Sequence, residues 1–247
     1  MLDILDLHTH TIASGHAYNT LYEMAQTAAD RGVAVFGSSD HAPSMPGSCH
    51  EFYFINFKVI PKHLFGIRVL MGCELNILDY QGTVDLKPDY LKKMDYAIAS
   101  IHQPCYDSGT AAQNTDAYLG VMKNPYVKII GHPDDSRFPV DYDTLAAAAK
   151  EHHVLLEVNS SSLHPLSARK GAKENYEKLL ERCIHYRTPV IIGSDAHIAE
   201  DVGNHQAAHE LLAAMSFPEE LVINTSIDRL IPYIPSLQEE RQQGRHD

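Results

Sequence analysis

The stretch LDLHTH, residues 5–10, carries two histidines at the end of a short apolar run. The apolar residues predict a β-strand over 4–10. Side chains two residues apart on a strand point to the same face, about 6.6 Å apart. His8 and His10 could therefore converge on one metal ion, whose bonds to imidazole nitrogen are about 2.0–2.1 Å long. One His-x-His pair is weak evidence, so the meaning of this stretch depends on the rest of the chain.

Six further stretches have the same strand-like character, and amphipathic segments separate them. The seven predicted strands cover residues 4–10, 33–41, 68–76, 95–102, 127–133, 154–160 and 189–197. Helices are predicted at 20–32, 114–123, 141–152, 172–187 and 204–215. Alternating strands and helices indicate parallel βαβ units in an α/β protein. Because no internal repeat or flexible linker interrupts the pattern, we expect one domain over 1–234, followed by a polar, frayed tail over 235–247.

Six of the seven predicted strands end in a histidine or a carboxylate. In chain order these residues are His8 and His10, Asp40 and His41, Glu74, His102, His132, and Asp195 and His197. The carboxyl ends of the strands of one parallel barrel meet at one rim, where the active sites of such barrels lie. The sequence therefore predicts a metal site at the C-terminal ends of the strands. The alternative is a set of rim residues that are individually hydrogen-bonded.

The composition excludes some classes of protein. The chain has 247 residues, a net charge of −12 and 44% hydrophobic residues, which is typical of an ordinary globular protein. Its acidity argues against nucleic-acid and membrane partners. The N-terminal residues carry no basic region and no apolar stretch is long enough to span a bilayer, so we expect neither a signal peptide nor a transmembrane helix. Four scattered cysteines without a Cys-x-x-Cys pair fit a reducing compartment, so we expect a cytoplasmic protein.

The chain resembles the PHP (polymerase and histidinol phosphatase) family of metal-dependent phosphoesterases. The resemblance rests on seven motifs that occur in order along nearly the whole chain: DLHTHTIASGHA, SSDHAP, GCELNI, SIHQP, IIGHPD, LEVNSSS and GSDAH. Within that family the chain is most similar to the stand-alone, YcdX-like bacterial phosphatases. The resemblance implies a distorted (β/α)7 TIM-like barrel that carries up to three metal ions at the C-terminal ends of its strands.

The resemblance also implies which residues hold the metal ions. His8 and His10 would bind the first ion with Glu74 and Asp195, Glu74 would bridge to a second ion held by His102 and His132, and His16, His41 and His197 would hold the third. Asp40 is expected to orient a neighbouring imidazole rather than to bind metal. A histidine-rich site suits three Zn²⁺ ions, and Mn²⁺ or Fe²⁺ remain alternatives. The family further implies a homo-oligomer, expected to be a trimer.

Counting metal–ligand bonds favours a catalytic site over a structural one. Nine such residues, with Glu74 bridging, supply about ten protein–metal bonds, whereas three four-coordinate ions need about twelve. The shortfall leaves positions for water and substrate. We therefore expect the phosphomonoester of a small metabolite to be hydrolysed by a hydroxide that bridges two of the ions. No motif identifies the general acid for the leaving group, or which phosphoester is the substrate.

Three further residues are candidates for substrate binding. Ser14 lies in a stretch of small residues that would let a substrate approach, although a plain loop explains the stretch as well. Arg137 closely follows the GHPDDS motif and could contact a phosphate oxygen or face solvent. Asn159 ends the sixth predicted strand and could contact substrate or support the site from behind.

Two other interpretations of the same residues remain open. Amidohydrolases also carry His-x-His on the first strand and an aspartate on the last, and they cleave C–N or C–O bonds, commonly with a bridging lysine. Here Glu74 can bridge and no lysine ends a predicted strand, which favours the phosphoesterase. A non-catalytic, metal-stabilised accessory protein is the second alternative.

His205 and His209 also have metal-binding spacing on a predicted helix, but we expect a solvated face there because nothing else converges on them.

Overall fold

A computed structural model of the protein describes residues 3–243. Their single sheet has seven parallel strands and one short antiparallel strand. The strands are β1 (Leu5–Asp6), β2 (Val35–Ser38), β3 (His63–Leu64), β4 (Ile67–Asn76), β5 (Tyr96–Ser100), β6 (Val127–Ile130), β7 (Leu155–Asn159) and β8 (Val190–Gly193). β3 pairs antiparallel with β4, and the others follow the order β1-β2-β4-β5-β6-β7-β8. This mostly parallel sheet, nearly closed on itself with helices between its strands, confirms the predicted distorted (β/α)7 TIM-like barrel.

Helices connect the strands and cover the outside of the barrel. They are α1 (Leu21–Asp30), α2 (Pro88–Leu91), α3 (Ala111–Met122), α4 (Tyr142–His152), α5 (Ala172–Tyr186), α6 (Gln206–Ala214), α7 (Ile227–Leu230) and α8 (Pro235–Gln243). Short 3-10 helices lie at Ile12–Ser14, Glu51–Val59, Ser161–Leu163, Ala199–Asp201, Glu219–Leu221 and Ile223–Thr225. Across residues 3–243, none of the helices has the length and apolar character needed to span a bilayer.

Local sequence fixes where α1 and α3 begin. Thr20 and Glu23 form a capping box at the start of α1, in which each side chain accepts a hydrogen bond from the backbone N–H of the other. Thr110 and Gln113 do the same at the start of α3. These reciprocal bonds satisfy backbone donors that a helix N-terminus leaves unpaired. The box also explains why α3 begins three residues before its predicted start.

The barrel interior is an apolar core built around Tyr96. Its ring is 2% exposed, and its hydroxyl donates a 2.6 Å hydrogen bond to the carbonyl of Leu7. Gly37 and Gly72 lie against this side chain: an added Cβ atom would come within 2.3 Å of the Tyr96 hydroxyl oxygen at Gly37 and within 2.6 Å of the Tyr96 ring at Gly72. Glycine is therefore required at both positions, because the large ring takes the space that their side chains would occupy.

The barrel closes at the same end as the candidate site. β1 and β8 share no ladder, but Thr9 and Ala196 form a parallel bridge just beyond them, and the backbone N–H of His10 donates to the carbonyl of Ala196 at 2.8 Å. This contact places the His8–His10 segment beside the Asp195–His197 segment, although almost the whole chain separates them.

The opposite end of the barrel is covered by the C-terminal segment. Ile234 and Leu237 are buried in the same apolar cluster as Leu5, and Glu240 forms a bidentate ion pair with Arg68 at 2.9 and 3.0 Å. The expected frayed tail is therefore wrong for Pro235–Gln243, which forms α8; residues 244–247 lie outside the described residues. A barrel bottom needs an apolar cover, and Leu237 supplies it within an otherwise polar sequence.

Leu237→Ala should lower the free energy of unfolding by about 2 kcal/mol, because it removes buried apolar contacts at the barrel bottom. Chemical denaturation followed by circular dichroism measures the change. Glu239→Ala, on the exposed side of α8, is the matched control and should change stability by less than about 0.5 kcal/mol. Equal stabilities of the two variants would show that α8 does not seal the barrel.

Candidate metal centre

Glu74 lies at the centre of the predicted site. It is fully buried near the end of β4. Its Oε1 atom is 2.8 Å from His132 Nε2 and 3.2 Å from His102 Nε2, and its Oε2 atom is 2.8 Å from His41 Nδ1. Three strand ends that are distant in sequence therefore meet around one carboxylate.

The first strand and the last strand bring further ligand atoms to the same place. His10 Nε2 lies 3.2 Å from Asp195 Oδ1, and His8 Nε2 lies 3.6 Å from the same oxygen. Both nitrogens are also near Glu74, at 3.4 Å for His8 and 3.5 Å for His10. Both nitrogens of the His-x-His pair thus lie within 3.6 Å of both carboxylates of the predicted ligand set.

His16 and His197 form the outer part of the group. Their Nε2 atoms are 3.1 Å apart, and the His197 ring centroid is 4.3 Å from that of His10. The His16 ring stacks on His41 at 5.0 Å. These two imidazoles are more exposed than the others, so the side of the site that they form faces the opening of the barrel.

The geometry fits a metal cluster. Five buried atoms that face the centre make no hydrogen bond of acceptable geometry among the described residues, although carboxylate oxygens and imidazole nitrogens lie close together there: His8 Nε2, His10 Nε2, His41 Nδ1, His102 Nε2 and Glu74 Oε2. Buried polar atoms without partners are costly, and a cation among them would complement them all.

The possible ligand atoms form four overlapping groups. Within each group they lie within 4.8 Å of one another: His8, His10 and Glu74; His8, His132 and Asp195; His41, Glu74 and His102; His10, His41 and His197. Because the groups share members, they form one continuous cluster. They combine residues differently from the predicted division among three ions, and that division stays a prediction.

The pKa shifts of Glu74 and His10 favour metal binding. Burial raises the pKa of Glu74, but the adjacent His102 and His8 outweigh this effect and hold the pKa well below its usual value. Burial, together with the nearby His197, holds the pKa of His10 well below its usual value. At Glu74 and His10 these directions give an ionised carboxylate and a neutral imidazole, the states that metal ligands require. His8 differs: burial lowers its pKa, but Glu157 and Glu74 outweigh this effect and raise the pKa well above its usual value, so this imidazole has to lose a proton when a metal ion binds.

Residues behind the cluster fix the orientation of the imidazole rings. Glu157 Oε1 lies 2.6 Å from His8 Nδ1, and Asn76 Oδ1 lies 2.7 Å from His102 Nδ1. In both rings the Nε2 atom is therefore left facing the cluster. Sequence reasoning missed Asn76, although its position two residues after Glu74 places it on the same face of β4.

Asp40 stands behind the histidines and is not in the cluster. Its carboxylate accepts hydrogen bonds from the Thr11 N–H at 2.7 Å, the Ser14 hydroxyl at 2.7 Å and the Tyr53 hydroxyl at 2.9 Å. Ser14 Oγ in turn lies 3.0 Å from His10 Nδ1. Asp40 therefore reaches an imidazole through Ser14, and its orienting role stays a prediction.

The three predicted substrate-binding residues differ in their surroundings. Ser14 and Asn159 are fully buried, and Asn159 donates to Asp195 Oδ2 at 3.1 Å. These placements favour support of the cluster over contact with substrate. Arg137 lines the cavity beside the cluster, but its guanidinium is bonded to Asp135 and Gln103.

Arg169 is the functional candidate that sequence reasoning missed. It lies in the loop between β7 and α5 and donates hydrogen bonds to Asp195 Oδ2 at 3.1 Å and to Ser162 Oγ at 3.1 Å. Burial lowers the pKa of Arg169, but the carboxylates of Asp195 and Asp134 outweigh it and raise the pKa above its usual value. A loop has no periodic pattern, so nothing in the sequence marked this arginine.

A cavity of about 440 Å³ opens beside the cluster. Its lining includes His102, His132, His197, Asp195, Arg137 and Arg169. The cavity therefore joins the candidate ligands to two arginines, which is suitable for an anion that approaches the cluster.

Fold and site together define the class: a TIM-like barrel with a candidate metal centre on its C-terminal rim. Residues 6–161 match the PHP domain, and the chain belongs to this family. The match includes the strand ends from His8 to Glu157, and β8 with Asp195 and His197 lies beyond it.

Full-length relatives extend the similarity across β8. The chain is 42% identical over 233 residues to a probable phosphatase of Clostridium novyi (strain NT), covering 94% of this chain and 95% of that protein. It is 43% identical over 240 residues to a probable phosphatase of Caldanaerobacter subterraneus subsp. tengcongensis, covering 97% and 92%.

A solved structure of similar fold is the histidinol phosphate phosphatase of Lactococcus lactis subsp. lactis Il1403, which was complexed with zinc, L-histidinol and phosphate. The TM-score is 0.58 at 18% sequence identity, covering 88% of this chain and 95% of that one. At this level of identity the likeness concerns the fold.

Proposed function

We propose that the protein is a metal-dependent phosphatase that hydrolyses the phosphomonoester of a small metabolite. The observation that carries the proposal is a group of five buried ligand atoms, four imidazole nitrogens and Glu74 Oε2, that make no hydrogen bond of acceptable geometry among the described residues, because such a group is suited to cations. The full-length relatives described as probable phosphatases support the reaction class. The zinc and phosphate bound by the structurally similar Lactococcus enzyme are consistent with it.

The residues proposed to hold the metal ions are the nine predicted ones: His8, His10, His16, His41, Glu74, His102, His132, Asp195 and His197. We propose three Zn²⁺ ions, with Mn²⁺ or Fe²⁺ as alternatives. When bound, the ions would supply hydroxide near neutral pH and positive charge for phosphoryl oxygens. A homotrimer stays a prediction from the family.

Arg169 is proposed to bind the phosphoryl group. Its guanidinium donates a hydrogen bond to Asp195, and the side chain also lines the cavity. A guanidinium has five N–H donors, so donors remain for a phosphate oxygen after the bonds to Asp195 and Ser162. Arg137 is less suited to this role, because Asp135, Gln103 and the carbonyl of Ala168 take most of its donors.

The activity is tested with p-nitrophenyl phosphate and a panel of phosphorylated metabolites, using protein from which metal is removed and then restored. Phosphate release should depend on added metal, and His41→Ala should abolish it. His63→Ala, which changes an exposed histidine away from the cluster, is the control and should keep full activity. Metal-loaded protein that hydrolyses amides or lactones but no phosphoester would support the amidohydrolase alternative instead.

Arg169→Gln should lower kcat/KM for phosphoester hydrolysis by about 100-fold, as expected when one donor to a charged reacting group is lost. Steady-state kinetics at saturating metal measure the change, and metal content is measured alongside. Lys170→Gln is the neighbouring control, since this side chain is exposed. A normal kcat/KM in Arg169→Gln would exclude phosphate binding by this arginine.

A further inference from the structure

The predicted solvated face at His205 and His209 is wrong for His205. This residue is 4% exposed, and its Nδ1 atom lies 2.7 Å from Asp3 Oδ2 while its Nε2 atom lies 3.6 Å from Asp6 Oδ1. The His209 side chain is 27% exposed and lies 2.8 Å from the same Asp3 oxygen. His205 therefore joins two carboxylates of the N-terminal segment.

Asp6 connects β1 and β8, the first and last strands of the barrel, by hydrogen bonds. It is fully buried. Its Oδ1 atom accepts from the N–H of Ser194 at 3.2 Å and from that of His8 at 3.4 Å. Its Oδ2 atom accepts from the Gly203 N–H at 2.8 Å and from the Ser194 hydroxyl. One carboxylate thus fixes the end of β1, the end of β8 and the start of the segment before α6.

The residues fixed by Asp6 are neighbours of two proposed metal ligands. His8 follows Asp6 by two residues, and Asp195 directly follows Ser194. Asp195 has a φ of 54°, in the left-handed region that non-glycine residues rarely adopt. Such a backbone persists only where its surroundings hold it. Any displacement of Ser194 would therefore move the Asp195 carboxylate away from the imidazoles of the cluster.

His205 is the cationic partner of the buried Asp6 carboxylate. A fully buried carboxylate is unfavourable without a cationic partner. Burial lowers the pKa of His205, but Asp6 and Asp3 outweigh this effect and raise it to about 9, so the imidazole is cationic at neutral pH. Within the described residues, no lysine or arginine forms an ion pair with Asp6.

We propose that His205 is a positioning residue for the metal centre: through Asp6 it holds His8 and Asp195 in the geometry that binds the first metal ion. The inference rests on the metal centre proposed above. Partners one step removed from metal ligands, as Asp6 is from His8, typically change metal affinity by about 10–100-fold. His205 acts through Asp6, so we expect an effect at the lower end of this range.

The test compares His205→Asn with His209→Asn by titrating metal-free protein with Zn²⁺ and by recording the visible spectrum after Co²⁺ is bound. Asparagine at 205 is long enough for Asp3 but not for Asp6. His205→Asn should weaken the tightest metal affinity by about 10-fold or more and alter the Co²⁺ spectrum. His209→Asn, which removes a contact to Asp3 alone, should leave both unchanged. His205→Gln, whose amide reaches farther, should recover part of the affinity.

Equal metal affinities and spectra in the two asparagine variants would overturn the proposal. If His205→Asn does not fold, His205→Gln decides: affinity and spectrum equal to those of the unaltered protein would also overturn it, and a weakened affinity would support it. Unaltered protein that binds no metal at all would instead overturn the proposed function, so the two failures are distinguishable.

Discussion

Glu74→Gln should remove metal binding and phosphatase activity together. The carboxylate of Glu74 contacts His41, His102 and His132, and it is the proposed bridge between two ions. Glutamine has nearly the same shape but no charge, so the buried imidazoles would lose their central anion. Loss of residues behind a metal ligand costs about 10–100-fold in affinity or activity, and we expect loss of the bridge itself to exceed about 100-fold.

Metal analysis and phosphate release measure the two effects on the same sample. The matched control is Glu151→Gln on the exposed side of α4, which should change neither. Circular dichroism checks that the barrel remains folded. Retained activity in a folded Glu74→Gln variant would mean that this carboxylate does not bridge the ions.

Gly193→Ala should damage the site through a single added methyl group. A Cβ atom at this position would lie 2.1 Å from Glu157 Oε1 and 2.9 Å from the Cβ atom of His8. Both neighbours are buried, and Glu157 orients the His8 ring. Since neither has room to move away, we expect a loss of about 1–3 kcal/mol in the free energy of unfolding. The His8 ring should also turn, which weakens metal binding.

Gly66→Ala is the control for Gly193→Ala. Gly66 has a φ of 81° in the turn between β3 and β4, and an added Cβ atom would meet nothing within 4 Å. That variant should lose about 1–2 kcal/mol through backbone strain alone and keep its metal affinity. Calorimetric Zn²⁺ titration and chemical denaturation separate the two effects. Unchanged metal affinity in Gly193→Ala would show that the packing of Glu157 on His8 does not set the geometry of the site.

The strand ends were predictable from sequence because their pattern is local. Each predicted strand is a short apolar run, and in six of the seven a histidine or carboxylate lies at or near its end, as at Glu74 and His102. The geometry of a parallel barrel then requires these ends to meet.

Other features could not be predicted because they depend on tertiary contacts. Arg169 reaches Asp195 from a loop, and loops carry no periodicity that marks a functional side chain. The segment that forms α8 is mostly polar in sequence. It is held in place because Leu237 packs into the apolar cluster at the barrel bottom and Glu240 forms an ion pair with Arg68. His205 looked solvated because its partners, the aspartates of the N-terminal segment, lie about 200 residues away.

The most direct test of the metal centre is elemental analysis of the purified protein after metal removal and reloading with Zn²⁺. We predict up to three zinc ions per chain in the unaltered protein and a clear loss in Glu74→Gln. Protein that binds no zinc, or that binds as much after Glu74→Gln as before, would contradict the assignment of this cluster as a metal centre.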